Sequence, residues 1–596
     1  MSLFTSLSIG VSGLTTSQNS LNTTSHNLAN TETKGFVRQQ VVQVDSNYLN
    51  WGVTHISTLQ SGLGTDIATV RQIRDVFLDK AYRKELGRQG FYQVQYEAVE
   101  EIESMFGELE GVAFQDSMED LWVSLQELAK EPDSIVTRAS VIQNAVNFIE
   151  RAENISTQLK EYQVNLNTQI KNEVNEINSI AEKIKELNLK IRQYESNGME
   201  NANDLRDSRN KLLDELGQLV NITYKETADG IVTVTAEGVP LVTEDMVYKM
   251  GTVPISETSD MLKPVWISHG NTDVFNLDRS TANYRDMDIG SLKGLLVVRG
   301  TNVGKYTDIP IRDNYDTDED YNDAVFEYNN QVETSVLMTV QSQFDQLIHG
   351  IVTTINDILS PNKEITLPAG TVITNADGST TTLASPKTIT ILDSENAPVG
   401  MDSNHTMGEA LFNRKSMDRY NDSNILQSIV ITNPDSTITT LTNVRVYNEE
   451  NKADNYSLFT VGEIEVNPDI MNNYSLIPLS SNTLSGDYDI ETAEALLSAW
   501  QEPFATLSPN TLTSNNFAGY YTAFIAELAN RGDQLNTIST NQESMVNSID
   551  NQRQQVLGVS SDEELANLIK FQHAYNASAR YITVIDSMLE HIVTSL

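Results

Sequence analysis

Each end of this chain carries an apolar stripe with heptad spacing, and each stripe needs a partner. At the start, Phe4, Leu7, Val11, Leu14, Gln18, Leu21, Ser25 and Leu28 alternate steps of three and four residues. At the finish, Leu565, Leu568, Gln572, Tyr575, Ala579, Ile582, Asp586, Leu589, Val593 and Leu596 do the same. That alternation keeps one stripe on one side of a helix. Termini fray unless something ties them down, so the stripes are expected to pair with each other or with a neighbouring molecule. Short isolated helices rarely persist in water. Both ends are therefore expected to order on assembly.

The 596 residues, at roughly 150 per domain, suggest about four domains. Lys plus Arg number 40 and Asp plus Glu 82, a net charge of −42. Such a surface repels phosphates and anionic lipid heads, so neither nucleic acid nor membrane is an expected partner. There is no cysteine, which excludes disulfide scaffolds, Cys-ligated zinc and Cys nucleophiles. No run of apolar residues is long enough to span a bilayer. The opening stretch lacks a basic region followed by an unbroken apolar core, so no Sec signal is expected.

The periodicity along the chain is nested. Gly, Asn and Thr after residue 29 break the first helix, and residues 37 to 75 read as extended chain with short strands. From about 77 to 196 the pattern is helical, with Pro132 interrupting and Gly107 and Gly111 marking a loop. The long helix from about 137 carries Ile155, Leu159, Tyr162, Leu166, Ile170, Val174 and Ile177 on one face, and Gly198 is expected to end it. Two successive steps of four near Ile170 predict a local unwinding of any coiled coil. Residues 331 to 359 and 517 to 559 are again helical, and Ser561 with Glu564 offers a capping box before the last helix. Between these lie β-branched runs such as Ile231–Thr235 and Thr380–Thr382. The expected fold is α+β and multidomain: a discontinuous helical coiled-coil or bundle stalk formed by both termini, with β-rich domains inserted from the middle. The expected division is 1–45 with 556–596 as a terminal coiled coil; 46–205 with 330–360 and 500–555 as a helical core; 206–329 as a β-rich domain; and 361–499 as a second β-rich insertion.

No catalytic constellation emerges. The seven histidines sit in no HExxH arrangement, and neither a nucleophile elbow nor a phosphate-binding glycine loop is present. No cofactor and no enzymatic activity are expected. The acidic run Asp316-Thr317-Asp318-Glu319-Asp320, with Glu327 at the twelfth position, imitates a calcium loop, but Tyr321 stands where the sharp turn requires glycine. A solvated acidic loop is the expected reading, and no metal site is assigned. Three Asn-x-Ser/Thr matches, at Asn22, Asn154 and Asn221, are too short a pattern to carry weight.

The stretch Ser25-His26-Asn27-Leu28-Ala29-Asn30-Thr31-Glu32-Thr33-Lys34-Gly35-Phe36 resembles the N-terminal signature of the bacterial flagellar rod, hook and hook-associated protein family. Glu564-Leu565-Ala566-Asn567-Leu568 through Arg580 is similar to the family's C-terminal half of that pattern. The Met1–Phe4 opening, the long helical block before residue 200, Gly290–Leu296 and Val461–Pro468 resemble the hook-associated proteins of the hook–filament junction. The resemblance implies a secreted, extracellular structural subunit that leaves the cell through the flagellar type III export apparatus. It implies self-assembly into a ring, contacts with the hook protein below and a second hook-associated junction protein above, and an export chaperone on the C-terminal helices. It also implies that Phe4, Leu7, Val11, Leu14, Leu21, Leu28, Leu565, Leu568, Tyr575, Ile582 and Leu589 serve the terminal coiled coil and assembly. Asn27, Leu28, Ala29, Asn30, Thr31, Thr33, Gly35 and Phe36 form the family motif.

Two alternatives stand beside this expectation. A hook- or rod-type axial protein would share the N-terminal motif but have little long helix between it and the β domains. An extracellular adhesin on a flagellar frame would place its binding surface in the central β-rich segments.

Overall fold

Helix periodicity in this chain yields twelve α-helices among the described residues, which in this computed structural model are 3–33, 35–53, 58–107, 114–196, 201–257, 259–277, 286–421, 425–432, 437–480 and 489–595. Met1, Ser2, Lys34, Gly111, Gly198 and Leu596, which figured in the sequence expectations, lie outside them.

The helices are α1 (Leu3–Ala29), α2 (Val76–Phe106), α3 (Phe114–Lys130), α4 (Ile135–Glu195), α5 (Asn203–Leu219), α6 (Ser291–Arg299), α7 (Asp318–Gln331), α8 (Val336–Leu359), α9 (Pro468–Asn472), α10 (Ile490–Gln501), α11 (Phe517–Leu557) and α12 (Ser561–Ser595). Asp75 starts α2 by accepting from Phe77 and Leu78 N–H, and Gly107 ends it in the left-handed region at φ 60°. Ser335 and Asn516 cap α8 and α11 in the same way. The last helix is capped by Ser560, whose hydroxyl accepts from Glu563 N–H at 3.4 Å, one residue before the expected Ser561. Ser561 is already helical, and Glu564 is used elsewhere.

The helical core is one continuous apolar mass. Phe106, Phe114, Phe148, Phe344, Tyr521 and Phe524 meet edge-on or tilted at its centre, contributed by α2, α3, α4, α8 and α11. The geometry suits the ring quadrupoles, and each such pair adds about 1 kcal/mol beyond area burial. Along the 61-residue α4 the buried stripe runs Ile155, Leu159, Gln163, Leu166, Ile170, Val174, Ile177. Steps of four double at Gln163 and again at Val174, an 11-residue repeat that does not impose the left-handed coil of a strict heptad. The expected Tyr162 is only partly buried because Gln163 takes the inner position, donating to Arg299 and Asn302 carbonyls.

The small sheets are tied to helices by asparagine side chains. Asn188 accepts from Val232 N–H and donates to Val232 C=O. Asn178 does the same with Met250, and Asn356 of α8 with Phe412. Asn167 bridges Leu262 N–H and the Asp260 carbonyl. An amide offers a donor and an acceptor side by side, so it satisfies one residue of strand backbone as a neighbouring strand would. Asn167, Asn178 and Asn188 lie about three helical turns apart on α4, which therefore serves as the spine for two three-stranded antiparallel sheets. These are 222–226, 232–236 and 239–242, and 250–254, 262–266 and 272–273.

The structure differs from the expected segments in three places. Residues 206–329 hold those two sheets but also most of α5, all of α6 and most of α7, and Val234, Leu241 and Trp266 join the helical core. Residues 39–72 form the expected short strands, 39–45 pairing with 65–72 and 48–53 with 58–62, although the expected division grouped residues 46–205 with the helical core. The acidic run from Asp318 is helix, with Thr317 accepting from Asp320 N–H as its cap. Asp318, Glu319 and Asp320 sit in the first turn, where the helix dipole favours negative charge, and Asp318 pairs with Arg312 at 2.6 Å. A helix cannot wrap a cation as a loop does, so the calcium-loop imitation is sequence only.

In the 361–499 segment a four-stranded sheet in the order 380–382, 372–374, 426–432, 438–444 has its own small core of Leu367, Ile391, Leu426, Ile429 and Val444. The rest of that segment returns to the helical core through Phe412, Phe459, Ile464 and Ile470.

Candidate assembly site

α1 and α12 run antiparallel along one another. A Cβ placed on Gly10 would lie 2.8 Å from Ile582 Cγ1, and one on Gly13 would lie 2.9 Å from Ser578 Oγ. At the far end Asn27 meets Glu564. The inward positions of α1 are thus Gly10, Gly13, Ser17, Ser20, Thr24 and Asn27, of which all but the half-buried Gly13 are buried. Small residues let the two backbones approach closely.

The expected stripe lies one residue later on every turn. Phe4 is 73% exposed and Val11 48%, while Leu7, Leu14, Leu21 and Leu28 are half-buried along the edge. On α12 one half of the expected seam stands: Leu568, Tyr575, Ile582 and Leu589 are half-buried. The other half shifts by one, with Glu564 and Ile585 buried and Phe571 and Ser578 half-buried, while Leu565 and Val593 face outward. The physical reason is the other side of α1. That helix also packs on the strands 39–45 and 65–72, where Ser12 Oγ accepts from Thr65 N–H at 3.2 Å and Ser20 Oγ accepts from Gln43 at 3.3 Å. Its hydroxyl side is spent on the strands, through the Thr65 backbone and the Gln43 side chain, and its glycine side on α12, which leaves the apolar stripe at the rim. Gly64 (φ +107°) completes this contact, since a Cβ there would stand 1.9 Å from Ser12 Oγ.

The motif after α1 is a set of local clasps. Asn27 donates to Gln39 C=O at 2.8 Å and accepts from Gln39 N–H at 3.0 Å, starting the first strand. Leu28 is half-buried and Ala29 exposed at the helix end. Asn30 donates to His26 C=O at 3.0 Å, Thr31 to Leu28 C=O at 2.9 Å, and Thr33 to Asn30 Oδ1 at 3.1 Å, which satisfies the orphaned acceptors of the last turn. Gly35 turns the chain at φ +89°. Phe36 then stands edge-on to His26 with centroids 5.3 Å apart.

Of the residues that lock this unit, Glu564 was read from the sequence only as a helix cap and the start of the C-terminal pattern, and Arg38 and Asp207 were not singled out. Arg38 donates to Glu564 at 2.8 Å and to Glu563 at 2.9 Å, and its N–H donates to Leu557 C=O at 2.9 Å. Asp207 of α5 accepts from Val37 N–H at 3.2 Å and from Gln72 at 2.7 Å. Burial pushes the Asp207 carboxyl up to about 7, against the pull of Val37 N–H and Arg74. The only available signal was a charged residue at each end of two otherwise polar–apolar motifs, Arg38 after Phe36 and Glu564 before Leu565.

Comparison with known proteins bears on these elements. Residues 99–365 match the family model described as the helical domain of flagellar hook-associated protein FlgK, and residues 556–595 match that of the C-terminal region of flagellar basal body rod FlgEFG proteins. Flagellar hook-associated protein 1 of Escherichia coli is 23% identical over 601 residues, covering 98% of each chain. That of Bacillus subtilis is 24% identical over 604 residues, covering 100% of this chain and 99% of the relative. The solved flagellar hook junction protein FlgK from Burkholderia pseudomallei is 15% identical with a TM-score of 0.46, over 81% of this chain and 100% of that one. With the helical-domain match over residues 99–365 and relatives aligned over almost the entire length at 23–24% identity, this chain is similar along its length to the flagellar hook-associated protein 1 proteins.

Proposed function

We propose that this protein is a structural subunit of the bacterial flagellum that forms the junction between hook and filament. The observation that carries this reading is the antiparallel pair of terminal helices, clasped through Asn27, Arg38 and Glu564, whose apolar rim is left outward. Copies arranged as a ring bury that rim, Phe4, Leu7, Val11 and Leu14 on one helix and Leu565 and Val593 on the other, against neighbouring subunits. The ring joins hook protein on one side to a second hook-associated protein on the other. Before assembly the C-terminal helix, exposed along most of its length, is held by an export chaperone, and the chain is secreted to the extracellular flagellum by the flagellar export apparatus. It performs no catalysis.

The domain division that fits this role takes 1–75 with 556–596 as the assembling unit and the remainder as a helical body with an inserted β sheet. A hook- or rod-type role draws support from the match of residues 556–595 to rod proteins. Helices of 31, 61 and 41 residues weigh against it.

The test is electron microscopy of a deletion strain, with flagellin assayed in the medium. Bare hooks with free flagellin are expected. Absent hooks would move the role to rod or hook, and normal flagella would refute a structural role.

A further inference from the structure

The chain's negative charge is interrupted at a cleft beside α4. A cavity of about 650 Å³ lies between α4, the 302–308 loop and the turn at 452–455, and Lys160, Lys305 and Lys452 all line it. A second cavity of about 290 Å³ shares Lys160 and Lys305. In a molecule with 82 acidic and 40 basic residues, Lys160, Lys305 and Lys452 line one concave surface, and none of the three forms an ion pair among the described residues. Low-dielectric walls focus that local field against the negative surroundings.

The cations there are poorly matched by the protein. Lys160 has no hydrogen bond or ion pair among the described residues. Lys305 contacts the Asn455 amide oxygen, and Lys452 donates to Thr307 C=O at 3.4 Å, both neutral acceptors. Behind the wall lies Arg299, fully buried. It donates to Asn167 Oδ1 at 2.7 Å, to Leu262 C=O at 2.6 Å and to Gly300 C=O at 3.1 Å, and its Nη2 has no partner among the described residues. No carboxylate pairs with it among the described residues, and burial pulls its guanidinium down to about 10. A buried cation without a counter-charge is costly. The carboxylates lining the larger cavity are Asp260 and Asp308, and Asp308 accepts from Lys305 N–H at 2.9 Å. The smaller cavity adds Asp345, whose oxygens accept from Tyr306 N–H, Val461 N–H and the Thr460 hydroxyl, and Glu463. Three lysines therefore face two carboxylates across the larger opening, with the buried Arg299 behind its wall.

We propose that this cleft binds carboxylate groups, presented either by a free oligocarboxylate or by an acidic segment of a second copy of this chain. The chain offers such a segment at Asp313–Asp323, where Asp316, Asp318, Glu319 and Asp320 are exposed around the start of α7. Lysines suit this ligand as adaptable point charges that several carboxylates satisfy without fixed fork geometry.

The test uses the full chain at low ionic strength. Two probes, citrate and a synthetic peptide of residues 313–323, are titrated calorimetrically against the wild type, K160E/K452E and the control K130E/K190E. The control reverses two exposed lysines outside the cleft. Binding of at least one probe is expected, weakened about tenfold or more in K160E/K452E because two attractions become repulsions, and unchanged in the control. Citrate alone binding assigns a free anion, and peptide binding assigns a second copy. If neither probe binds, or if K160E/K452E binds as the wild type does while its thermal midpoint shows it folded, the proposal is overturned. K160M, which removes charge without reversing it, is expected to fall between.

Discussion

Glu564, at the start of the last helix, accepts a hydrogen bond from Asn27, at the end of the first, with 3.2 Å between Nδ2 and Oε2. The two residues are 537 positions apart, and both are buried. Through Arg38 the same carboxylate holds the strand that leaves the motif. This one group therefore joins the N-terminal helix, its turn and the C-terminal helix.

Replacing Glu564 by Ala removes one partner each from Arg38, which keeps Glu563, and from the Asn27 amide, which keeps the Gln39 carbonyl, in a half-dry site. A loss of about 2 kcal/mol is expected for removing one partner of such a network. Hydrogen exchange is expected to quicken in α1 and α12 and to stay unchanged in α4. Equal protection of α1 in variant and wild type would refute the clasp.

The antiparallel register is open to a direct check, because the natural chain contains no cysteine. A Cβ at position 13 lies 3.7 Å from Ser578 Cβ, close to the separation of about 3.8 Å found in disulfides. Gly13→Cys with Ser578→Cys is expected to form an intramolecular disulfide on mild oxidation, read by mass and by mobility on non-reducing gels. No crosslink in the folded chain would mean that the two helices pair in another register.

Phe4 and Val593 are 73% and 74% exposed. Phe4→Asp and Val593→Asp are therefore expected to leave the thermal midpoint of the purified chain unchanged while abolishing swarming on soft agar. Retained swarming would show that this rim is not an assembly surface.

Asp207 links stability to pH. Its folded carboxyl is raised to about 7, above an unfolded value of about 4. The folded state therefore holds a proton that the unfolded state has lost, and stability falls as pH rises from about 4 to about 7. Glu173 and Glu237, raised by burial to about 7, act in the same direction. The wild type is expected to melt lower at pH 8 than at pH 5, and Asp207→Asn is expected to narrow that difference. An unchanged difference in Asp207→Asn would remove this residue from the linkage.

Asn356 satisfies both backbone groups of Phe412 inside the core. Asn356→Ala orphans a buried N–H and a buried C=O, at about 1–3 kcal/mol each. A lower urea midpoint is expected for the full chain, and an unchanged midpoint would show that the strand finds another partner.

Much of this architecture was legible in the residues. The helices at 76–106, 135–195, 336–359 and 517–557 followed from apolar positions at 3.6 spacing, and the motif turn from Asn30, Thr33 and Gly35. The phase of the α1 stripe was not legible. Leu and Val mark the buried side of an ordinary helix, whereas here Gly10, Gly13 and Ser17 do, because the partner backbone comes close. The short strands within 37–75 were legible in that segment's weak alternation and glycines, but nothing in it reveals that the 39–45 and 65–72 strands pack on α1.

The sequence by itself determined period, most element types and the resemblance of both termini to the flagellar axial proteins, because backbone sterics, heptad spacing and turn chemistry act over a few residues. Only the tertiary structure decided which face of α1 is inward, that Asn27 and Glu564 share one site, that Asp318–Gln331 is helix, and that three lysines from distant segments share a cleft. Those outcomes depend on contacts across hundreds of residues, where the choice among faces is set by what packs there.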